Sequence, residues 1–69
     1  MKVSARNVLR GRISKIEIGA ISAEITLELA SGVTIVSSIT AESAKQLKLE
    51  RGAFAYAVIK ASSVMVGVD

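Results

Sequence analysis

Ile21, Ala23, Ile25, Leu27 and Leu29 alternate with Ser22, Glu24, Thr26 and Glu28. A period of two held over nine residues predicts a strand with one buried and one wet face. Ser31-Gly32 then reads as a hairpin turn. Val33 to Ile39 is the return strand, with Val33, Ile35, Ser37 and Ile39 sharing a face. Upstream, Asn7 to Ile18 predicts a first strand whose outer face carries Arg10, Arg12 and Lys15. Gly11 inside it predicts a bulge or bend, and Gly19-Ala20 ends it. Thr40 is placed to cap a helix over Ala41 to Leu47, with Glu42 in the first turn favouring the helix dipole. So short a helix depends on packing for its stability.

After a turn at Glu50-Arg51-Gly52, Ala53 to Lys60 predicts a fourth strand and Ser63 to Val68 a fifth. Both are apolar on the two faces, from Phe54, Tyr56, Val58, Val64 and Val66 among others. A strand apolar on both faces is covered on both. A small closed barrel covers only the inner one, so the outer face predicts another subunit. Five strands with a short helix between the third and fourth give an all-β chain in the element order of a five-stranded OB-like barrel, with an SH3-like barrel as the alternative. No proline, low-complexity stretch or internal repeat divides the chain, so residues 1–69 read as one domain.

Composition narrows the chemistry. At 69 residues a single core is marginal, and such domains lean on disulfides, metals or partners. Cysteine and histidine are both absent, which excludes disulfides and the usual zinc, copper and haem ligand sets, and leaves association. Without histidine, and with no carboxylate pair in an apolar setting, an enzyme is not expected. The net charge of +3 predicts an anionic partner. Nucleic acid is the first candidate, but Phe54 and Tyr56 are the only aromatics and make a poor stacking platform; they read as packing residues. The uncharged run Leu29 to Ala41 is too short for a membrane span, which needs about 20 apolar residues. Met1 to Arg6 has no signal-peptide core, so a cytoplasmic protein is expected, with no membrane partner.

Two polar clusters remain. Ser4-Ala5-Arg6-Asn7 and Lys60-Ala61-Ser62-Ser63 each pair a hydroxyl with a cation at period two, next to small residues that let a ligand approach the main chain. Neither contains a carboxylate. A compact tetrahedral dianion asks for such a set: fixed donors, two positive charges and no competing acceptor. By spacing alone, the same residues also read as solvated charges and turn chemistry.

The opening Met1-Lys2-Val3-Ser4-Ala5-Arg6-Asn7, the middle Ser38-Ile39-Thr40-Ala41-Glu42-Ser43 and the closing Tyr56-Ala57-Val58-Ile59-Lys60-Ala61-Ser62-Ser63-Val64-Met65-Val66-Gly67-Val68 resemble three motifs of the molbindin (Mop) family. They occur in the same order, without large insertions, along the whole chain. The resemblance implies an OB-like barrel assembled as a homo-hexamer, a trimer of dimers. It also implies molybdate or tungstate bound at subunit interfaces for cytoplasmic storage and homeostasis, with the metal held as its oxyanion. Ser4, Ala5, Arg6 and Asn7 match the family's N-terminal oxyanion motif. Lys60, Ala61 and Ser62 match its C-terminal one, presented there by a neighbouring subunit. Thr40 and Ser43 match a segment near the threefold axis, and Gly19 and Ala20 are expected to lend backbone N–H groups. Val8 departs from the family, where Gln is common. A nucleic-acid-binding OB module is the rival reading.

Overall fold

The computed structural model describes residues 1–69. Four strands and one helix follow in chain order: β1 (Asn7–Ile18), β2 (Ser22–Ala30), β3 (Val33–Thr40), α1 (Ala41–Gln46) and β4 (Phe54–Ile59). They form one antiparallel sheet in the order β3-β2-β1-β4. The sheet curls into an open barrel in which β1 serves two neighbours. Its first half pairs with β4, from Asn7 opposite Ile59 to Arg12 opposite Phe54. Its second half pairs with β2, from Arg12 opposite Glu28 to Ile18 opposite Ala23.

Two local features let one strand change partners. Gly11 is buried, and a Cβ there would stand 3.0 Å from the Glu28 carbonyl oxygen and 3.0 Å from Leu29 Cδ2. Only a residue without a side chain permits that approach of β1 to β2. The register shift itself falls between Ile13 and Lys15, where Ser14 Oγ donates to the Thr26 carbonyl. Gly11 is therefore the point of close approach, and the bulge sits three residues on.

The alternation of β2 puts Ala23, Ile25 and Leu27 into the core, where they meet Ile13 of β1 and Ala44 of α1. Thr40 caps α1: its hydroxyl oxygen accepts from the Ser43 N–H at 3.0 Å. Ala41 and Ala44 are the buried face of this helix, small enough to lie flat on the sheet.

The expected fifth strand is not formed. Residues 61–63 make a 3₁₀ turn, in which the Ser63 N–H donates to the Lys60 carbonyl at 2.9 Å. Beyond it the chain runs unpaired to Asp69. Val64 to Val68 has strand-like composition, but a strand exists only when an edge accepts its hydrogen bonds, and the turn carries this segment off its own sheet. The barrel thus has four strands, not five. On β4 the alternation is plain: Ala55, Ala57 and Ile59 are half-buried, whereas Phe54, Tyr56 and Val58 are exposed.

Candidate functional site

The last rung of the β1–β4 ladder is Asn7 opposite Ile59. It is reinforced by the Asn7 side chain, whose Nδ2 donates to the Ile59 carbonyl at 3.3 Å. Beyond that rung the ladder ends, and Ser4, Ala5 and Arg6 on one side meet Lys60, Ala61 and Ser62 on the other. These six residues line one open cavity of about 430 Å³. The two polar clusters, 54 residues apart between Arg6 and Lys60, are brought together by strand pairing within a single chain.

The electrostatics of the cavity are one-signed. The ion pairs of the molecule are Arg12 with Glu28 at 4.0 Å and Lys15 with Glu17 at 2.8 Å. Arg6 and Lys60 are in neither, and no carboxylate lines the cavity. The main chain adds donors. Ala61 and Ser62 open the 3₁₀ turn, so their N–H groups have no acceptor within it. Two cations, two hydroxyls and free N–H groups around a space of this size can hold a small polyatomic anion by charge-assisted hydrogen bonds. They offer no general base, and no group of carboxylates is arranged to hold a cation.

Of the seven residues expected at the main site, six line the cavity and Asn7 stands just behind, fixing the register. The other four gather at the opposite end of β1. Gly19 and Ala20 form the turn after it, and Thr40 lies opposite Ser22 in the β2–β3 ladder. There the donors are engaged internally. The Gly19 N–H donates to the Ser22 carbonyl at 2.8 Å, and the Thr40 hydroxyl donates to Ser43 Oγ at 2.7 Å. A second recess, of about 350 Å³, had no signal in the sequence; it is lined by Ser14, Lys15, Ile16 and Arg51 around the bulge. Its Lys15 is held above the usual lysine range by the hydrogen bond to Glu17 and by that carboxylate's charge.

The TOBE domain family matches residues 3–66, nearly the whole chain. A probable molybdenum-pterin-binding protein of Haemophilus influenzae is 45% identical over 69 residues, covering all of both chains. The chain belongs to the TOBE family, among its small molybdenum-pterin-binding (Mop) members. Solved structures of similar proteins agree in fold. A molybdate-binding protein from Sporomusa ovata matches with a TM-score of 0.91 and 32% identity, covering 99% of this chain and 100% of that one. The cytoplasmic molybdate-binding protein ModG, with molybdate bound, matches with a TM-score of 0.93 and 49% identity, covering all of this chain and 49% of that one. The OB-like fold is therefore that of the Mop proteins, with four strands in this chain. The family is one of binding rather than catalytic modules. No helix of this TOBE domain is long and apolar enough to cross a membrane.

Proposed function

We propose that this TOBE domain binds molybdate or tungstate in the cavity between its N-terminal and C-terminal polar clusters, and serves to store the oxyanion in the cytoplasm. The observation that carries this reading is the convergence of Ser4, Ala5, Arg6, Lys60, Ala61 and Ser62 on one carboxylate-free cavity. The names of its relatives, molybdenum-pterin-binding and molybdate-binding, support the choice of anion. Binding replaces the hydration of the anion with preorganised N–H and O–H donors, while Arg6 and Lys60 offset its two negative charges. Asn7 acts from behind by holding the two clusters in register.

The cavity is open, and one wall of it is solvent. In this reading a neighbouring subunit of a homo-hexamer, a trimer of dimers, covers it. An anion held between subunits binds the assembly and not the separated chains, so ligand and assembly stabilise each other. Thr40, Ser43, Gly19 and Ala20 belong to this reading only as a second, weaker contact near a threefold axis, because the Gly19 N–H, the Thr40 hydroxyl and the Ser43 N–H are engaged within the chain.

Calorimetry with the purified protein tests the choice of ligand. Molybdate and tungstate share charge and near-equal size, so donors of this kind bind them alike. Sulfate is smaller, and phosphate is partly protonated and asks for an acceptor the cavity lacks. Comparable molybdate and tungstate affinities with much weaker sulfate binding are expected. Sulfate competing on equal terms would reduce the protein to a general anion binder.

A further inference from the structure

The recess at the bulge of β1 lies apart from the cavity proposed for molybdate, and no residue is common to the two. Ser14, Lys15, Ile16 and Arg51 line its roughly 350 Å³. The bulge creates it. Gly11 and Ile13 face the core two residues apart, but the next inward residue is Ile16, three further on. Unbroken alternation would turn Lys15 onto the core and Ser14 to water. The extra residue reverses this: Lys15 is exposed, and Ser14 is half-buried beside it.

The second cation comes from the turn before β4. The Gly52 N–H donates to the Ile13 carbonyl at 2.8 Å, and the Ile13 N–H donates to the Ala53 carbonyl at 2.8 Å. These two bonds anchor the turn carrying Arg51 to the residue just ahead of the bulge. Arg51 takes part in neither ion pair of the molecule. Lys15 is held by Glu17 at 2.8 Å, which uses one of its three donors and leaves two. Ser14 differs from the serines of the first cavity. Its Oγ already donates to the Thr26 carbonyl at 3.4 Å, so the hydroxyl offers a ligand its lone pairs and not its proton.

We propose that this recess is a separate anion site that takes inorganic phosphate, with Arg51 and Lys15 on the charged oxygens and Ser14 Oγ accepting from the P–OH group. A guanidinium fork fits two oxygens of a tetrahedral anion. Inorganic phosphate keeps at least one proton at neutral pH, whereas sulfate has none and a phosphate monoester, with a second pKa of about 6, has mostly lost its own. Glu17 beside Lys15 leaves the recess one net positive charge, against two at the first cavity, which favours the singly charged dihydrogen form. One chain then sorts oxyanions by their protons, the acceptor-poor cavity taking the bare dianion and the bulge taking the protonated one. The phosphate site does not depend on what the first cavity binds.

Calorimetry and amide NMR spectra of the whole protein with inorganic phosphate test this, with sulfate and glycerol phosphate as comparisons. Phosphate is expected to move the Ser14, Ile16 and Gly52 amides and to leave Ala61 and Ser62 in place. Sulfate and the ester should bind at least tenfold more weakly. Arg51→Gln should weaken phosphate binding at least tenfold with molybdate affinity unchanged, and Arg6→Ala should leave phosphate binding unchanged. Ser14→Ala should erase the preference for phosphate over sulfate. Should that variant disturb the bulge, Glu17→Gln reads the same preference, since removing the carboxylate should narrow the gap between the two anions. No phosphate binding at millimolar concentration, shifts confined to Ala61 and Ser62, or equal loss in Arg10→Ala would each overturn the site. Sulfate or the ester binding as well as phosphate would overturn the choice of ligand. If molybdate fails to bind while Arg51-dependent phosphate binding persists, the molybdate reading falls and this one stands.

Discussion

The two ends of β1 carry similar residue types in opposite conditions. At its start, Ser4, Arg6, Lys60 and Ser62 surround a cavity and their side chains make no hydrogen bond or ion pair within the protein. At its finish, the Gly19 N–H, the Thr40 hydroxyl and the Ser43 N–H all have internal partners between 2.7 and 3.0 Å. Hydroxyls and small residues next to turns are therefore not in themselves a binding signature. What separates the ends is whether the fold has already used the donors. Unused donors beside two uncompensated cations point to a ligand, and used ones hold the helix and the turn.

The largest effect is expected from the first end. Arg6→Ala and Lys60→Ala each remove one of two charges facing a dianion. Losing a hydrogen bond to a charged group costs about 1.5–3 kcal/mol, or roughly tenfold to a hundredfold in molybdate affinity by calorimetry. Both side chains are exposed, so the circular dichroism spectrum should not change. Arg10→Ala serves as the control. Its guanidinium lies 4.0 Å over the Phe54 ring on the outer face, outside the cavity, and its loss should alter little beyond salt dependence. Equal loss of affinity in all three variants would mean diffuse charge, not a site.

The second end predicts the opposite split. Thr40→Ala removes the cap of α1 and should lower stability by about 1 kcal/mol, read by urea denaturation. Molybdate affinity at the cavity should hold. A fall in the number of oxyanions bound per chain would show that Thr40 reaches a ligand in the assembly as well as capping its helix. The smallest effect belongs to Glu17. Its carboxyl is held below the usual carboxylate range by a hydrogen bond from Lys15 and by the charge of that lysine. A depressed carboxylate stabilises the fold above its unfolded pKa, and that contribution is lost as pH falls through the folded value. Glu17→Gln should therefore matter least in acid and only slightly at neutral pH, because the pair is open to solvent and screened by salt. Thermal melts at two pH values check it, since Glu17 neither lines the cavity nor bonds to Gly19, Thr40 or Ser43.

The strands, the helix cap and the polar clusters are legible in the sequence because each is a local pattern. Period two gives β1, β2 and β3, and Thr40 ahead of Ala41-Glu42 gives the start of α1. What brings Arg6 to Lys60 is not local. It depends on the register of β1 against β4, from Asn7 opposite Ile59 to Arg12 opposite Phe54, before β1 bends at the bulge to follow β2. Gly11 signals something unusual without saying whether it is a bulge or a close approach. The tail fails for the complementary reason. Val64 to Val68 carries every local mark of a strand, but the edge that would receive it is not reached within this chain.

The ladder that ends at Asn7 and Ile59 also bears on when the cavity can exist. Its two halves are far apart in the sequence, so a ribosome that has delivered Arg6 still has more than fifty residues to add before Lys60 appears. Until then the nascent chain has no pocket for an anion, only a flexible basic leader. Pairing across so long a separation is slow compared with local structure. Sequence separation alone favours β1 meeting β2 before β4, and the cavity appears with the closing rung. In the proposed reading oxyanion capture thus waits for Lys60, and a product cut just before it would carry half the cavity's charges and bind nothing.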